Sequence, residues 1–201
     1  VMAPDGSVTS TTVSAHLYNA AGLSGVTDRS TLTDIVNTER DAAFTQNGDS
    51  LTWDTTDTDV YYKGNTSRSL PVSAAVTYTL DGETAPLENL LGKSGHLTIR
   101  IDLTNNETGT VTVNGAERTV VTPFITAVGV VLGEDASNVT LEHGLLERAA
   151  KSTVAAFVTL PGVRGALSGL LPDSFSAAED YLQDSVTVEA DVENLSAPQI
   201  L

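Results

Sequence analysis

The chain has 201 residues, no cysteine and a formal net charge of −16, from 26 acidic and 10 basic side chains. The absence of cysteine excludes disulfides, thiolate zinc sites and cysteine nucleophiles, and the negative charge opposes binding to nucleic acid or to an anionic membrane surface. Threonine (28 residues) and valine (22) together make up about a quarter of the chain, and both β-branched side chains favour strands.

The first seventy residues contain turn signals between short β-like segments. After the Asp5-Gly6 turn, loose alternation over 7–19 indicates an opening hairpin. The segment 28–41 (DRSTLTDIVNTERD) predicts a helical turn that Ser30 or Thr31 caps. Short strands are expected next at 42–46, 49–54 and 58–64.

The remaining residues alternate more strongly. Strands are expected at 70–81, 96–106, 110–113, 138–144, 152–162 and 185–194. The long β-like run 117–134 contains Pro123, which cannot donate to a ladder and predicts an edge, a bulge or a break. Helical character is expected at 85–92 and at 162–183, although glycines weaken the second segment.

Many short strands with few helices are typical of an antiparallel sandwich or barrel. We expect a mainly β protein, an antiparallel β-sandwich-like module with a few short helices. One continuous module over residues 1–201 is the prediction, with a possible subdivision near 63–69, where KGNTSRS has the composition of a polar loop.

The Gly92-Lys93-Ser94 sequence matches the end of a phosphate-binding loop, but the rest of that motif is missing. The motif needs a glycine five positions earlier, where this chain has Leu87, and it needs a following helix. Here a strand-like alternation follows instead. We therefore interpret the segment as a turn that leads into a strand.

No residues of catalytic or cofactor-binding type are spaced as a motif. His16, His96 and His143 lie far apart without a second ligand at metal spacing, and there is no Gly-x-Ser-x-Gly sequence. The acidic stretch with Asp54, Asp57 and Asp59 is the one candidate metal site, because clustered carboxylates can hold Ca²⁺. A solvated turn is the alternative interpretation, because the stretch lacks the acid-and-glycine order of an EF-hand loop.

An ordered set of motifs extends from about Leu51 to Asn194: LTWD, DVYYKGNTSRSLPV, YTLDG, GKSGHLTIRIDLTNN, TPF and LPG. In this order they resemble uncharacterised membrane-anchored cell-envelope proteins of Gram-positive bacteria, where a GKSG-x-x-TIR-x-D-x-TN pattern precedes TPF and a later LPG. The resemblance implies an extracytoplasmic location, on the cell-surface side of a membrane-anchored protein. It assigns no functional residue, and the first fifty residues depart from it.

The leading hypothesis is a non-enzymatic extracytoplasmic structural or interaction module of a bacterial membrane or envelope protein. Its partner would be an envelope protein or a surface polymer, and contact with the membrane would come only through segments absent from this chain. The start at Val1-Met2 and the end at APQIL suggest a soluble piece of a larger protein. A glycan- or small-ligand-binding module, assisted by Ca²⁺, is the alternative, and an envelope hydrolase is the third hypothesis.

Overall fold

The structure is a computed structural model that describes residues 2–39, 41–113, 115–169 and 181–201. Its chain divides into two compact units. Unit 1 is Val8–Ser69, and unit 2 consists of Met2–Ser7 together with Leu70–Leu201. The division at Ser69 lies at the end of the polar segment 63–69; the expectation of one module over the whole chain stays a prediction.

Unit 1 contains two three-stranded antiparallel sheets, in the orders β1-β6-β3 and β2-β5-β4. Leu51 and Trp53 from one sheet and Val60 and Tyr62 from the other meet in one hydrophobic core. The strands are β1 (Thr12–Tyr18), β2 (Thr27–Arg29), β3 (Thr33–Asn37), β4 (Ala43–Asn47), β5 (Ser50–Asp54) and β6 (Asp59–Asn65).

The expected helical turn at 28–41 is wrong, because this segment forms β2 and β3. The Ser30 hydroxyl accepts a hydrogen bond from the amide of Leu32, two residues on, which makes a turn between the two strands rather than a helix cap. The flanking residues pair with β5 and β6, and Ile35 packs against the core. Tertiary pairing therefore prevails over a weak local cap signal.

Unit 2 contains a five-stranded sheet in the order β13-β16-β9-β7-β8, a four-stranded sheet in the order β14-β15-β12-β17, and a two-stranded ribbon, β10-β11. All of its strand pairs are antiparallel. The strands are β7 (Val72–Leu80), β8 (Glu83–Thr84), β9 (Gly95–Asn105), β10 (Thr108–Val113), β11 (Ala116–Val121), β12 (Thr126–Leu132), β13 (Ala136–Leu141), β14 (Leu145–Ala149), β15 (Ser152–Thr159), β16 (Ser185–Val192) and β17 (Gln199–Ile200).

The helices are short, as the sequence predicts. A 3-10 turn covers Leu87–Asn89, and α1 covers Val163–Leu167 within the expected helical segment; residues 170–180 of that segment lie outside the described residues. The break expected at Pro123 is confirmed, since it falls between β11 and β12. The mainly β, antiparallel sandwich-like architecture is confirmed as well.

One aliphatic core joins the two larger sheets of unit 2. On β9, Leu97, Ile99, Ile101 and Leu103 are all buried, and they alternate with residues that face away from the core. Partner side chains come from the facing sheet and from β16: Val128, Val130, Leu132, Ala155, Phe157, Val186, Val188, Ala190 and Val192. Two sheets packed face to face in this way form a sandwich.

The Gly92–Gly95 turn is held by the segment that follows β16. The amide of Gly92 donates to the carbonyl of Leu195 at 2.9 Å, and the amide of Leu195 donates to the carbonyl of Lys93 at 2.8 Å. The chain then enters β9 at Gly95. The interpretation of Gly-Lys-Ser as a turn before a strand is confirmed.

Asn105 joins the end of β9 to two neighbouring segments. Its buried side-chain amide donates to the carbonyl oxygens of Thr122 at 2.8 Å and Pro161 at 3.0 Å, and its Oδ1 accepts from the amide of Glu107 at 2.9 Å. These bonds fix the base of the β10-β11 ribbon and the loop before α1.

The chain between β15 and β16 leaves and returns at adjacent points. The Tyr181 carbonyl accepts hydrogen bonds from the Leu160 amide and from the Thr159 hydroxyl. The same hydroxyl also donates to the carbonyl of Gln183. The Asp184 carboxylate accepts from the Gly162 amide at 2.6 Å. This set of bonds, which we call the β15–β16 clamp, closes the loop at its base.

Replacing Asn105 by alanine should lower the free energy of unfolding by about 2–3 kcal/mol, because three backbone groups in a buried setting lose their partners. Urea denaturation followed by circular dichroism measures the change. The matched control is Asn106→Ala, which removes one exposed bond to the carbonyl of Leu70. Equal midpoints for the two variants would contradict this role of Asn105.

Unit 1 should be removable without unfolding unit 2. In unit 1 the first and last strands are neighbours, with Thr12 opposite Asn65. In unit 2, the segment Met2–Ser7, which precedes unit 1 in the chain, is held by two hydrogen bonds to β7. The Tyr78 hydroxyl donates to the Pro4 carbonyl, and the Val76 amide donates to the Asp5 carbonyl.

Deletion of 8–69, with a linker of about four glycine and serine residues, should keep a dispersed amide NMR spectrum for unit 2. Superposition of its β9 and β16 resonances on those of the whole chain is the expected result. A collapsed spectrum would mean that unit 2 needs unit 1 to fold.

Candidate functional site

The two outward faces of the unit 2 sandwich have opposite chemistry. Successive side chains of a strand alternate between faces, so the residues between the core positions point away from the core. On β9 and β16 these residues are polar: His96, Thr98, Arg100, Asp102, Thr104, Ser185, Thr187, Glu189 and Asp191. On the four-stranded sheet they are mostly apolar.

We call this second surface the apolar outer face. It carries small and branched apolar side chains from three adjacent strands, in register across the sheet. Its members are Ala127, Val131, Leu145, Val154, Ala156 and Val158, and the charged Glu147 borders it opposite Val154. Gly129 extends it to the C-terminal residue, since a side chain at Gly129 would meet Leu201 at 3.4 Å.

A groove of about 370 Å³ lies at one end of this face, lined by His143, Gly144, Leu145, Ala156, Val158 and Tyr181. Three of its lining residues are large, apolar or aromatic, and mostly exposed: Leu145 (77%), Tyr181 (64%) and Val158 (54%). A soluble surface rarely groups such side chains without an interaction that covers them. Among the described residues of unit 2, the groove is therefore the strongest candidate binding feature.

Gly144 makes the groove possible by letting β14 approach β15 closely. A Cβ at this position would meet the Phe157 ring at 2.7 Å and the Ala156 carbonyl oxygen at 2.9 Å. Phe157 is a buried core residue, so its ring cannot move away without disturbing the core. Glycine therefore fixes the position of Leu145 over Ala156, its partner in register.

The sequence contains a signal for the apolar outer face that periodicity alone did not identify. Half-buried strands alternate apolar and polar residues, whereas strands that are apolar on both faces form continuous apolar runs. TAVGVVL in β12 and TVAAFV in β15 are such runs, and SVTVEADV in β16 alternates. The difference between these runs indicates that β12 and β15 are apolar on both faces, whereas β16 is polar on one.

His96 and Asp191 form an ion pair on the polar face. His96 Nδ1 lies 3.0 Å from Asp191 Oδ1, and the Asn138 amide donates to Asp191 Oδ2 at 2.8 Å. The hydrogen bond to Asp191 raises the pKa of His96 above its ordinary value of 6.5, with smaller contributions from Glu189 and Asp81. Hydrogen bonds from Asn138 and then His96 lower the pKa of Asp191 below 3.8.

The three histidines occupy separate environments. His16 stacks on Tyr61 in unit 1, with ring centroids 4.1 Å apart, while His96 pairs with Asp191 and His143 lines the apolar groove. Trp53 is fully buried and packs against Phe44 and Tyr62, as expected for a core residue.

The candidate calcium ligands lie on the turn between β5 and β6. Asp54 ends β5 and accepts a long hydrogen bond of 3.5 Å from the Ser24 hydroxyl, and Asp59 begins β6 and accepts from the Thr58 hydroxyl at 3.2 Å. Asp57 lies in the turn, where its carbonyl accepts from the Leu23 amide. Within the described ranges, no group of three or more acidic or histidine side chains is gathered as a metal would require. Calcium binding here stays a prediction.

Comparison with known proteins gives no match to a protein-family model, a curated protein or a solved structure. The similarity to Gram-positive envelope proteins therefore stays a prediction based on the motifs themselves. In the part of the chain that the structure describes, no helix is long and apolar enough to span a membrane.

Substituting Asp191 by asparagine should lower the pKa of His96 toward 6.5, because the hydrogen-bonded carboxylate is the main cause of its elevation. NMR titration of the imidazole C–H resonances measures this pKa. Glu189→Gln is the matched control and should produce a smaller decrease, since Glu189 acts only through its charge. A His96 pKa at or below 6.5 in the unmodified chain would contradict the ion pair.

The sign of the stability effect follows from the two pKa shifts. The contribution of His96 is fully present below pH 6.5 and is lost as the pH rises through its raised pKa. The contribution of Asp191 is fully present above pH 3.8 and is lost as the pH falls through its lowered pKa. Both contributions are complete between these two values.

Proposed function

We propose that this chain is a non-enzymatic, extracytoplasmic interaction module of a bacterial membrane or envelope protein. Its partner is another envelope protein, which covers the apolar outer face of unit 2. The observation that carries the proposal is the exposure of Leu145, Val158 and Tyr181 around one groove. The motif resemblance and the cysteine-free, acidic, threonine-rich composition support the location.

The chemistry of the apolar outer face favours a protein partner over a surface polymer. A hydrated polymer is bound mainly through hydrogen bonds, and Ala127, Ala156 and Val158 offer none from their side chains. A protein partner can instead bury apolar side chains in the groove, at about 25 cal/mol for each Å² removed from water. The small residues at the centre of the face let a partner approach the sheet closely.

Capture of a partner by the purified chain from solubilised envelope tests the proposal. The double variant Leu145→Ser, Val158→Thr should reduce the amount captured at least about tenfold, because two central apolar contacts are lost. The control is Thr187→Val, a single isosteric change on the polar face. Its capture should equal that of the unmodified chain.

Three results would decide against this assignment. Capture that survives the double variant would remove the apolar outer face from the interaction, and equal loss in Thr187→Val would show that the loss is not specific to that face. No captured protein at all would contradict the interaction role and favour the structural role of the module. Circular dichroism of each variant checks that the sheet content is unchanged.

A further inference from the structure

The β10-β11 ribbon leaves one strand edge uncovered. The other strand of the ribbon, β11, is covered. Its Val121 lies so close to the loop before α1 that a Cβ at Gly162 would meet Val121 Cγ1 at 3.1 Å. The helix α1 also lies beside β11. All six residues of β10 are exposed, and among the described elements only β11 pairs with it. The free edge of β10 therefore faces solvent.

The register of the ribbon identifies which backbone groups this edge presents. The Thr122 amide donates to the carbonyl of Glu107, and antiparallel ladders alternate hydrogen-bonded and non-bonded pairs. Odd-numbered residues of β10 therefore direct their N–H and C=O groups toward β11. The N–H and C=O groups of Thr108, Thr110 and Thr112 point to the open edge.

Nothing in β10 protects this edge against pairing. Natural edge strands are shortened, bulged, charged or interrupted by proline. The other edge strands of unit 2 follow this rule: β8 and β17 have two residues each, β13 has a register shift, and β14 carries Glu147 and Arg148. The sequence of β10, TGTVTV, has no charge, no proline and no register shift.

We propose that the free edge of β10 binds an extended segment of a partner polypeptide, which adds as a third strand to the ribbon. The segment alternates apolar and polar residues, because Val111 and Val113 lie on one side of the ribbon and the three threonines on the other. Basic residues flank it, because Glu107 precedes β10 and the chain carries a net charge of −16.

A second copy of this chain is the poorer occupant. Each copy carries a charge of −16, so that two copies repel each other. The edge uses different strands from the apolar outer face, so this inference does not depend on the proposed function.

The probe is a synthetic peptide of six alternating threonine and valine residues, flanked by lysines and blocked at both ends. NMR titration of the whole chain should shift the amide resonances of Thr108, Thr110 and Thr112 and slow their hydrogen exchange. The same peptide with every backbone amide of the six residues methylated has no N–H left to pair with an edge and should bind at least about tenfold more weakly.

Two variants locate the binding. Thr110→Pro removes an outward N–H without removing a bond to β11, and it should weaken peptide binding at least about tenfold. Thr110→Ser keeps that N–H and should bind as the unmodified chain does. The amides of Val111 and Arg118 report whether the ribbon remains paired in each variant.

Several outcomes would overturn the inference. These are equal binding of the methylated peptide, shifts confined to other strands, or no shift up to millimolar peptide. Sedimentation of the chain alone provides a further test. A dimer that Thr110→Pro dissociates would assign the edge to a second copy and contradict the partner polypeptide.

Discussion

Strand β9 is the element on which the rest of unit 2 depends. It lies at the centre of the five-stranded sheet, and its four core side chains each contribute about 1.5–3 kcal/mol by leaving water. A slip of one residue in its register would move Arg100 and Asp102 into an aliphatic core, where charges are very costly. The alternation of β9 therefore fixes its own register and that of β7 and β16 beside it.

The four-stranded sheet that packs against this core is apolar on both faces. The negative charge of the chain opposes the association that such an exposed apolar face favours. Unit 2 carries 18 of the 26 acidic residues and six of the 10 basic ones, so it is strongly negative. A net charge of one sign opposes self-association, which an exposed apolar surface favours. A partner that neutralises the charge and covers that surface gains from both effects.

The sequence predicts β7, β9 and β16 well, because their side chains alternate over long stretches. It does not predict β8, β14 or β17, which have only two to five residues. It predicts the break at Pro123 and the turn at Gly92–Gly95 for local reasons, namely a missing N–H and a glycine at positive φ. It fails at 28–41, where the strands β2 and β3 depend on pairing with residues far along the chain. Local patterns carry no information about such partners.

The candidate site was harder to predict than the fold. Exposure is a property of assembled strands, and the apolar outer face combines β12, β14 and β15 with Tyr181, which follows them by many residues. The continuous apolar runs in β12 and β15 indicate a buried strand equally well. Only the register distinguishes the side chains that face the core from those that face solvent. Which edge of the β10-β11 ribbon is covered likewise depends on where α1 packs.

The β15–β16 clamp has a consequence for variation in this protein. The bonds among Thr159, Gly162, Tyr181 and Asp184 hold the two ends of the intervening stretch together, independent of its content. Loop-closure entropy rises only slowly with length, by about 0.6 kcal/mol for each doubling. A change in the length of that stretch therefore costs the sandwich little closure entropy. The same property makes it a suitable position for inserting a reporter domain.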